Sequence, residues 1–208
     1  MISTIITAGG SSRRFGENKL LVKLDDKSVV EHTILKFQDL SDEIIIPATP
    51  ATREFIENSN VCDKNKITFV QNGATRQKSV YNALLACKFR DYVLIHDGAR
   101  PFIEKSDIEK IIEMLKTKNA LCTGFYATDT IKITNDDGTI LKTIDRKNVF
   151  CAQTPQAFSY ELIMAAHKKF ISRDDFTDDS SLVEALGERV WTFVSSGVNK
   201  KITTQADL

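Results

Sequence analysis

The stretch that decides the fold is Ile2-Ser3-Thr4-Ile5-Ile6-Thr7-Ala8-Gly9-Gly10-Ser11-Ser12-Arg13-Arg14-Phe15-Gly16, with Lys19 three residues beyond. A β-branched run over residues 4–7 reads as a buried strand, and it empties directly into small residues. Small residues let a backbone approach a polyphosphate closely, and successive N–H groups can line an anion-binding nest. Arg14 and Lys19 add two cations beside that nest. The spacing matches neither a Walker loop nor the GxGxxG dinucleotide fingerprint.

Outward from this point the pattern repeats. Further strands are expected at residues 44–46, 67–70, 92–95 and 120–127, and apolar residues recur at helical spacing over 29–40, 79–88 and 105–118. Alternating strands and helices predict an α/β fold, a doubly wound, mostly parallel sheet with flanking helices. Such sheets bind ligands beyond the carboxyl ends of their strands. Two more candidate loops follow strands: Gln71-Asn72-Gly73-Ala74-Thr75-Arg76-Gln77-Lys78-Ser79, and His96-Asp97-Gly98-Ala99-Arg100-Pro101. Asp97 is placed to hold Mg²⁺ through one carboxylate, waters and substrate phosphates. Each loop alone is also compatible with an ordinary turn or helix cap. Three of them opening on one edge of one sheet outweigh that reading.

Beyond residue 127 the pattern changes. Two alternating runs, residues 130–134 and 139–144, flank Asn135-Asp136-Asp137-Gly138, which predicts a hairpin protruding as a β-arm at about residues 129–150. An isolated ribbon is marginal in water, so a packing partner, such as a second subunit, is expected.

Composition bounds the rest. The 208 residues are 42% hydrophobic, enough for one substantial core, and one domain spanning 1–208 is expected. Lys plus Arg and Asp plus Glu each number 28, for a net charge of 0, which argues against nucleic acid or a membrane as a partner held by bulk charge. No apolar run approaches the roughly 20 residues of a membrane span, and the start lacks a basic signal region. Cys62, Cys87, Cys122 and Cys151 form no CxxC pair and read as reduced thiols of a cytoplasmic protein. His32, His96 and His167 have no metal-ligand spacing, and His96 is expected to be structural. The acidic run Arg173-Asp174-Asp175 through Asp178-Asp179 reads as a solvated loop and helix N-cap, and Phe55, Phe69, Phe125 and Phe158 as packing residues.

These motifs, together with Asp129-Thr130-Ile131-Lys132, Asp145-Arg146, Gln153-Thr154-Pro155-Gln156, Thr177-Asp178-Asp179 and Asn199-Lys200-Lys201-Ile202-Thr203, closely resemble the 2-C-methyl-D-erythritol 4-phosphate cytidylyltransferase family, in the family's order and over nearly the whole chain. The resemblance implies transfer of CMP from CTP to a sugar-alcohol phosphate with Mg²⁺ and release of pyrophosphate. It implies that Arg14, Lys19 and Lys201 are catalytic, and that Asp97 holds the metal. Ala8, Gly9, Gly10, Gly73, Ala74, Thr75, Arg76, Ser79 and Gly98 would carry the nucleotide. Arg100, Thr130, Lys132 and Arg146 would carry the acceptor, with Thr130 and Arg146 reaching in from the partner's arm of a homodimer. The chain departs from the family's usual pattern at Ser11, Leu20, Asn72 and Gly98, and it stops at Leu208, before the closing helix that members usually carry. The alternatives are a cytidylyltransferase acting on a pentitol phosphate such as ribitol 5-phosphate, and a non-catalytic nucleotide-binding module.

Overall fold

The computed structural model describes residues 1–10, 15–16 and 18–208. In chain order its elements are β1 (Ile2–Thr7), β2 (Lys23–Leu24), β3 (Lys27–Ser28), α1 (Val29–Phe37), β4 (Glu43–Ala48), α2 (Pro50–Asn58), β5 (Ile67–Gln71), α3 (Arg76–Ala86), β6 (Tyr92–Asp97), α4 (Lys105–Leu115), β7 (Ala120–Tyr126), β8 (Ile131–Thr134), β9 (Ile140–Ile144), β10 (Phe150–Ser159), α5 (Tyr160–Lys169), α6 (Asp179–Ala185) and β11 (Trp191–Val194). Seven strands form one sheet in the order β11-β7-β10-β6-β1-β4-β5.

The β-branched run of β1 is buried along nearly its whole length, as a strand covered on both faces requires. Its polar side chains are bonded inside: Ser3 Oγ donates to Glu43 Oε1 at 2.6 Å, and Thr4 and Ser41 share a hydroxyl bond of 2.7 Å. β1 runs parallel to both β4 and β6, and β4 parallel to β5. The connection through α1 leads from β1 to one side, and the β5-α3-β6 crossover returns to the other. The strand order therefore reverses at β1, and the pairing of β1 with β6 sets Thr7 beside Asp97 at the carboxyl ends.

Two apolar cores cover the two faces. One packs Val30, Ile34 and Phe37 of α1 with Ile108 and Ile111 of α4, and the other packs Val80 and Leu84 of α3 with Ile163 of α5 and Val183 of α6. The doubly wound, mostly parallel fold expected from the sequence is the fold observed. Element ends differ where caps override periodicity. The helix expected from residue 79 starts at Arg76, because Thr75 Oγ1 accepts the Lys78 N–H at 3.2 Å and caps it there.

β10 is the main departure. This strand, with no counterpart among the expected ones, separates β6 from β7 and runs antiparallel to both. Pro155 hides it in the sequence, since proline argues against a central strand. The pairing with β7 shifts register between Ala152 and Gln156, and there the Pro155 carbonyl accepts from Thr123 Oγ1 at 2.6 Å. The hairpin forms as β8 and β9, a two-stranded sheet of its own, with Ile140 and Leu141 exposed. Phe158 is fully buried and Phe55 and Phe69 are partly so, whereas Phe125, expected to pack inside, is exposed near the end of β7.

Candidate active site

The loops after β1, β5 and β6 converge on one cavity of about 450 Å³ at the switch point. Gly9, Gly10 and Lys19 line it from the first loop, Gly73, Ala74, Thr75, Arg76 and Ser79 from the second, and Asp97 and Gly98 from the third. Lys201 reaches it from the C-terminal segment. Asn72 also lines it: its Nδ2 donates to the Gly9 carbonyl at 3.1 Å, and its Oδ1 accepts from Ser79 Oγ at 2.9 Å, so one amide ties the first loop to the second. Ala8 lies buried behind the wall, its N–H bonded to the Pro47 carbonyl at 3.1 Å. Arg14 lies outside the described residues.

The glycines serve different ends. A Cβ on Gly73 would stand 2.7 Å from the Ser79 amide nitrogen, and one on Gly98 would stand 2.9 Å from the Thr7 carbonyl oxygen, so both are fixed by packing against backbone. Among the described residues, a Cβ on Gly10 would meet no atom within 4 Å, and Gly10 lines the cavity.

Asp97 is nearly buried and, among the described residues, faces three cations. Lys201 Nζ lies 2.7 Å from Oδ2, Arg100 Nε 3.5 Å from Oδ2, and Arg76 Nε 3.5 Å from Oδ1. Burial pushes its pKa up, but Arg76, Lys201 and Arg100 outweigh it and hold the carboxyl well below the usual range. Behind it, the Asp97 N–H donates to Thr154 Oγ1 at 3.0 Å, and that oxygen lies 3.2 Å from His96 Nδ1. Burial lowers the pKa of His96 to about 4, against the opposing bond to the Arg100 carbonyl, so its ring is neutral near pH 7. The bonds then have one consistent direction: Thr154 donates to Nδ1, and Nε2–H donates to the Arg100 carbonyl at 3.0 Å.

Arg76 stands between two carboxylates. Besides Asp97, its NH1 donates to Asp179 Oδ2 at 2.6 Å. Asp178 caps α6 as expected, accepting from the Ser181 amide at 3.0 Å. Asp179, expected in a solvated segment, is buried instead. Its N–H bonds Gln156 Oε1 at 2.9 Å and its Oδ1 lies 3.3 Å from His167 Nε2. The correction has a physical reason: the paired cation repays burial of the charge, and local composition carries no sign of a partner 103 residues away.

A family model for 2-C-methyl-D-erythritol 4-phosphate cytidylyltransferase matches residues 2–208. The chain belongs to this cytidylyltransferase family. A relative of that name from Dictyoglomus thermophilum is 41% identical, with 98% of this chain and 92% of the relative covered. One from Clostridium botulinum is 37% identical over 100% of this chain and 96% of its own. A crystal structure of 4-diphosphocytidyl-2C-methyl-D-erythritol synthase from Anaerococcus prevotii superposes with a TM-score of 0.88 at 32% identity, covering 100% and 92% of the two chains.

Several residues matched to the family's acceptor motifs lie elsewhere in the single chain. Lys132 donates to Thr143 Oγ1 across the hairpin at 2.7 Å, Arg146 NH1 donates to the Thr128 carbonyl, and Thr130 is exposed at the hairpin's base. Arg100 does not line the cavity. Its NH1 donates to the Asn199 carbonyl at 2.8 Å, and Asn199 Nδ2 donates to the Thr154 carbonyl at 2.6 Å, which straps the C-terminal segment across β6 and β10. The Gln-Thr-Pro-Gln and Asn-Lys-Lys motifs signalled Thr154 and Asn199 without revealing these roles.

Proposed function

We propose that this protein transfers CMP from CTP to 2-C-methyl-D-erythritol 4-phosphate and releases pyrophosphate, in isoprenoid precursor synthesis by the methylerythritol route. The observation that carries the reading is the cavity itself, where a glycine-lined loop, Lys19, Arg76 and Lys201 gather around Asp97 at the sheet's switch point. An acceptor phosphate oxygen attacks the α-phosphorus of CTP as pyrophosphate leaves in line. Both reactants are anions, so the protein must offset their repulsion and hold them in register, and Lys19 and Lys201 are the cations assigned to that task together with Arg14. No side-chain nucleophile or base is needed, because a phosphate monoester is largely ionised at neutral pH.

Gly9, Gly10, Gly73, Ala74, Thr75, Arg76 and Ser79 are assigned to the nucleotide. Asp97 fits a hard divalent cation such as Mg²⁺: it is a single oxygen-donor carboxylate, and among the described residues no cluster of three or more His, Cys, Asp or Glu offers a dedicated cage. Mg²⁺ held by Asp97 would neutralise phosphate charge as a Lewis acid. The exposed apolar residues of β8–β9 support a homodimer in which a second copy covers the arm and receives Thr130 and Arg146. No described helix is long and apolar enough to cross a membrane. We assign the enzyme to the cytoplasm, in keeping with its four free thiols.

The test is pyrophosphate release from CTP and Mg²⁺ with 2-C-methyl-D-erythritol 4-phosphate and D-ribitol 5-phosphate offered in parallel. Preference for the first is expected. Preference for ribitol 5-phosphate would move the enzyme to pentitol-phosphate activation, and release with neither would favour the non-catalytic module.

A further inference from the structure

We infer that Asp179, which does not line the cavity, is a positioning residue that fixes the Arg76 guanidinium for the nucleotide. The inference rests on the cytidylyltransferase reading of the cavity. Arg76, with 31% of its side chain exposed, borders open space on a long side chain that would otherwise sample several rotamers. Two carboxylates remove that freedom. Asp97 approaches Nε at 3.5 Å from the cavity side, and Asp179 holds NH1 at 2.6 Å from within the protein. Asp179 is the firmer anchor, at closer range and with 1% of its side chain exposed.

The anchor is itself built in. Gln156 Oε1 accepts from the N–H groups of both Asp179 and Ser180 at 2.9 Å, and Gln156 Nε2 donates to Asp178 Oδ2 at 2.6 Å. His167, fully buried on α5, lies 3.3 Å from the other carboxylate oxygen. A planar guanidinium has donors on separate edges of a rigid fork, so two carboxylates fix its orientation, whereas an ammonium's three donors rotate freely. The arrangement fits a rigid cation presented at the start of α3, beside the loop assigned to the nucleotide. It also gives Asp178 and Asp179 distinct work: the first caps the helix that carries the second.

The test is steady-state kinetics of pyrophosphate release by the full chain, wild type against Asp179→Asn, Asp179→Glu and Arg76→Lys, with CTP and acceptor varied in turn and thermal melts of each variant. Asp179→Asn is expected to lower kcat/KM for CTP by about 10–100-fold, taking as a guide the loss seen when an outer partner of a metal ligand is removed, through a raised CTP KM with the acceptor KM unchanged. Asp179→Glu should recover part of the loss. Arg76→Lys should raise the CTP KM likewise, and adding Asp179→Asn to it should cost little more, because the two residues act as one unit. A merely structural role would lower only the active fraction, leaving both KM values unmoved, and that result overturns the proposal, as do additive losses. Should Asp179→Asn fail to fold, an unchanged CTP KM in Arg76→Lys overturns it. Wild type inactive with CTP would sink the functional reading instead, and calorimetric CTP binding then decides: equal affinity in wild type and Asp179→Asn overturns the positioning role, and weaker binding in the variant supports it.

Discussion

Lys201 Nζ lies 2.7 Å from Asp97 Oδ2, a contact between residues 104 positions apart that ties the C-terminal segment to the tip of β6. Replacing Lys201 by Met should lower turnover by roughly 10²–10³, the usual cost of one preorganised charge contact. Asp97 keeps Arg76 and Arg100, so the fold should survive. Wild-type turnover in Lys201→Met would show that the ammonium only neutralises Asp97.

Lys19 also lines the cavity, and its Nζ donates to the Ile202 carbonyl at 2.6 Å, one residue from Lys201. Lys19→Ala is expected to raise the barrier by about 2.7–4 kcal/mol while changing CTP affinity far less. Turnover is compared with the CTP dissociation constant measured by calorimetry, and unchanged turnover removes Lys19 from the chemistry.

The two loop glycines should respond oppositely to alanine. Gly73→Ala drives a methyl to 2.7 Å from a backbone nitrogen, and such overpacking typically costs about 1–3 kcal/mol, visible as a lowered melting temperature. Gly10→Ala meets no atom of the described residues, so its melting temperature should stay near wild type while the CTP KM rises. A Gly10→Ala enzyme with an unaltered CTP KM would remove that loop from the nucleotide site.

Acid should weaken the fold in two separate windows. His96 titrates at 6.5 when unfolded and at about 4 in the fold, because burial disfavours its charged form. The unfolded chain therefore binds more protons between these values, and stability falls as pH drops from about 6.5 to 4, by up to about 3 kcal/mol. Asp97 has its folded pKa depressed, so its contribution is complete above the ordinary carboxylate range and is lost only at lower pH. Urea unfolding at pH 7 and 4.5 checks the first window, and His96→Gln should show a smaller loss than wild type.

The parts legible in the sequence were those with local causes. The apolar runs that became β1, β4 and β6 are buried, and that of the edge strand β5 half-buried, by their own composition, and an Asp-Gly turn announced β8–β9 without any long-range information. The three loops of the cavity were readable because glycine and a strand end are both local signals. Asn72 was noted only as a departure from a family pattern, yet the structure gives it a bond to each of two loops.

By itself, then, the sequence determined the doubly wound core and the edge of the sheet on which the cavity-lining loops gather. Only the tertiary structure decided that β10 would split β6 from β7 despite Pro155, that Asp179 would be buried against Arg76 instead of solvated, and that Lys201 would return to Asp97. The difference is physical: propensity and periodicity act over a few residues, whereas the burial of a charge or an irregular strand is decided by a partner that the chain supplies from a distant part of the sequence.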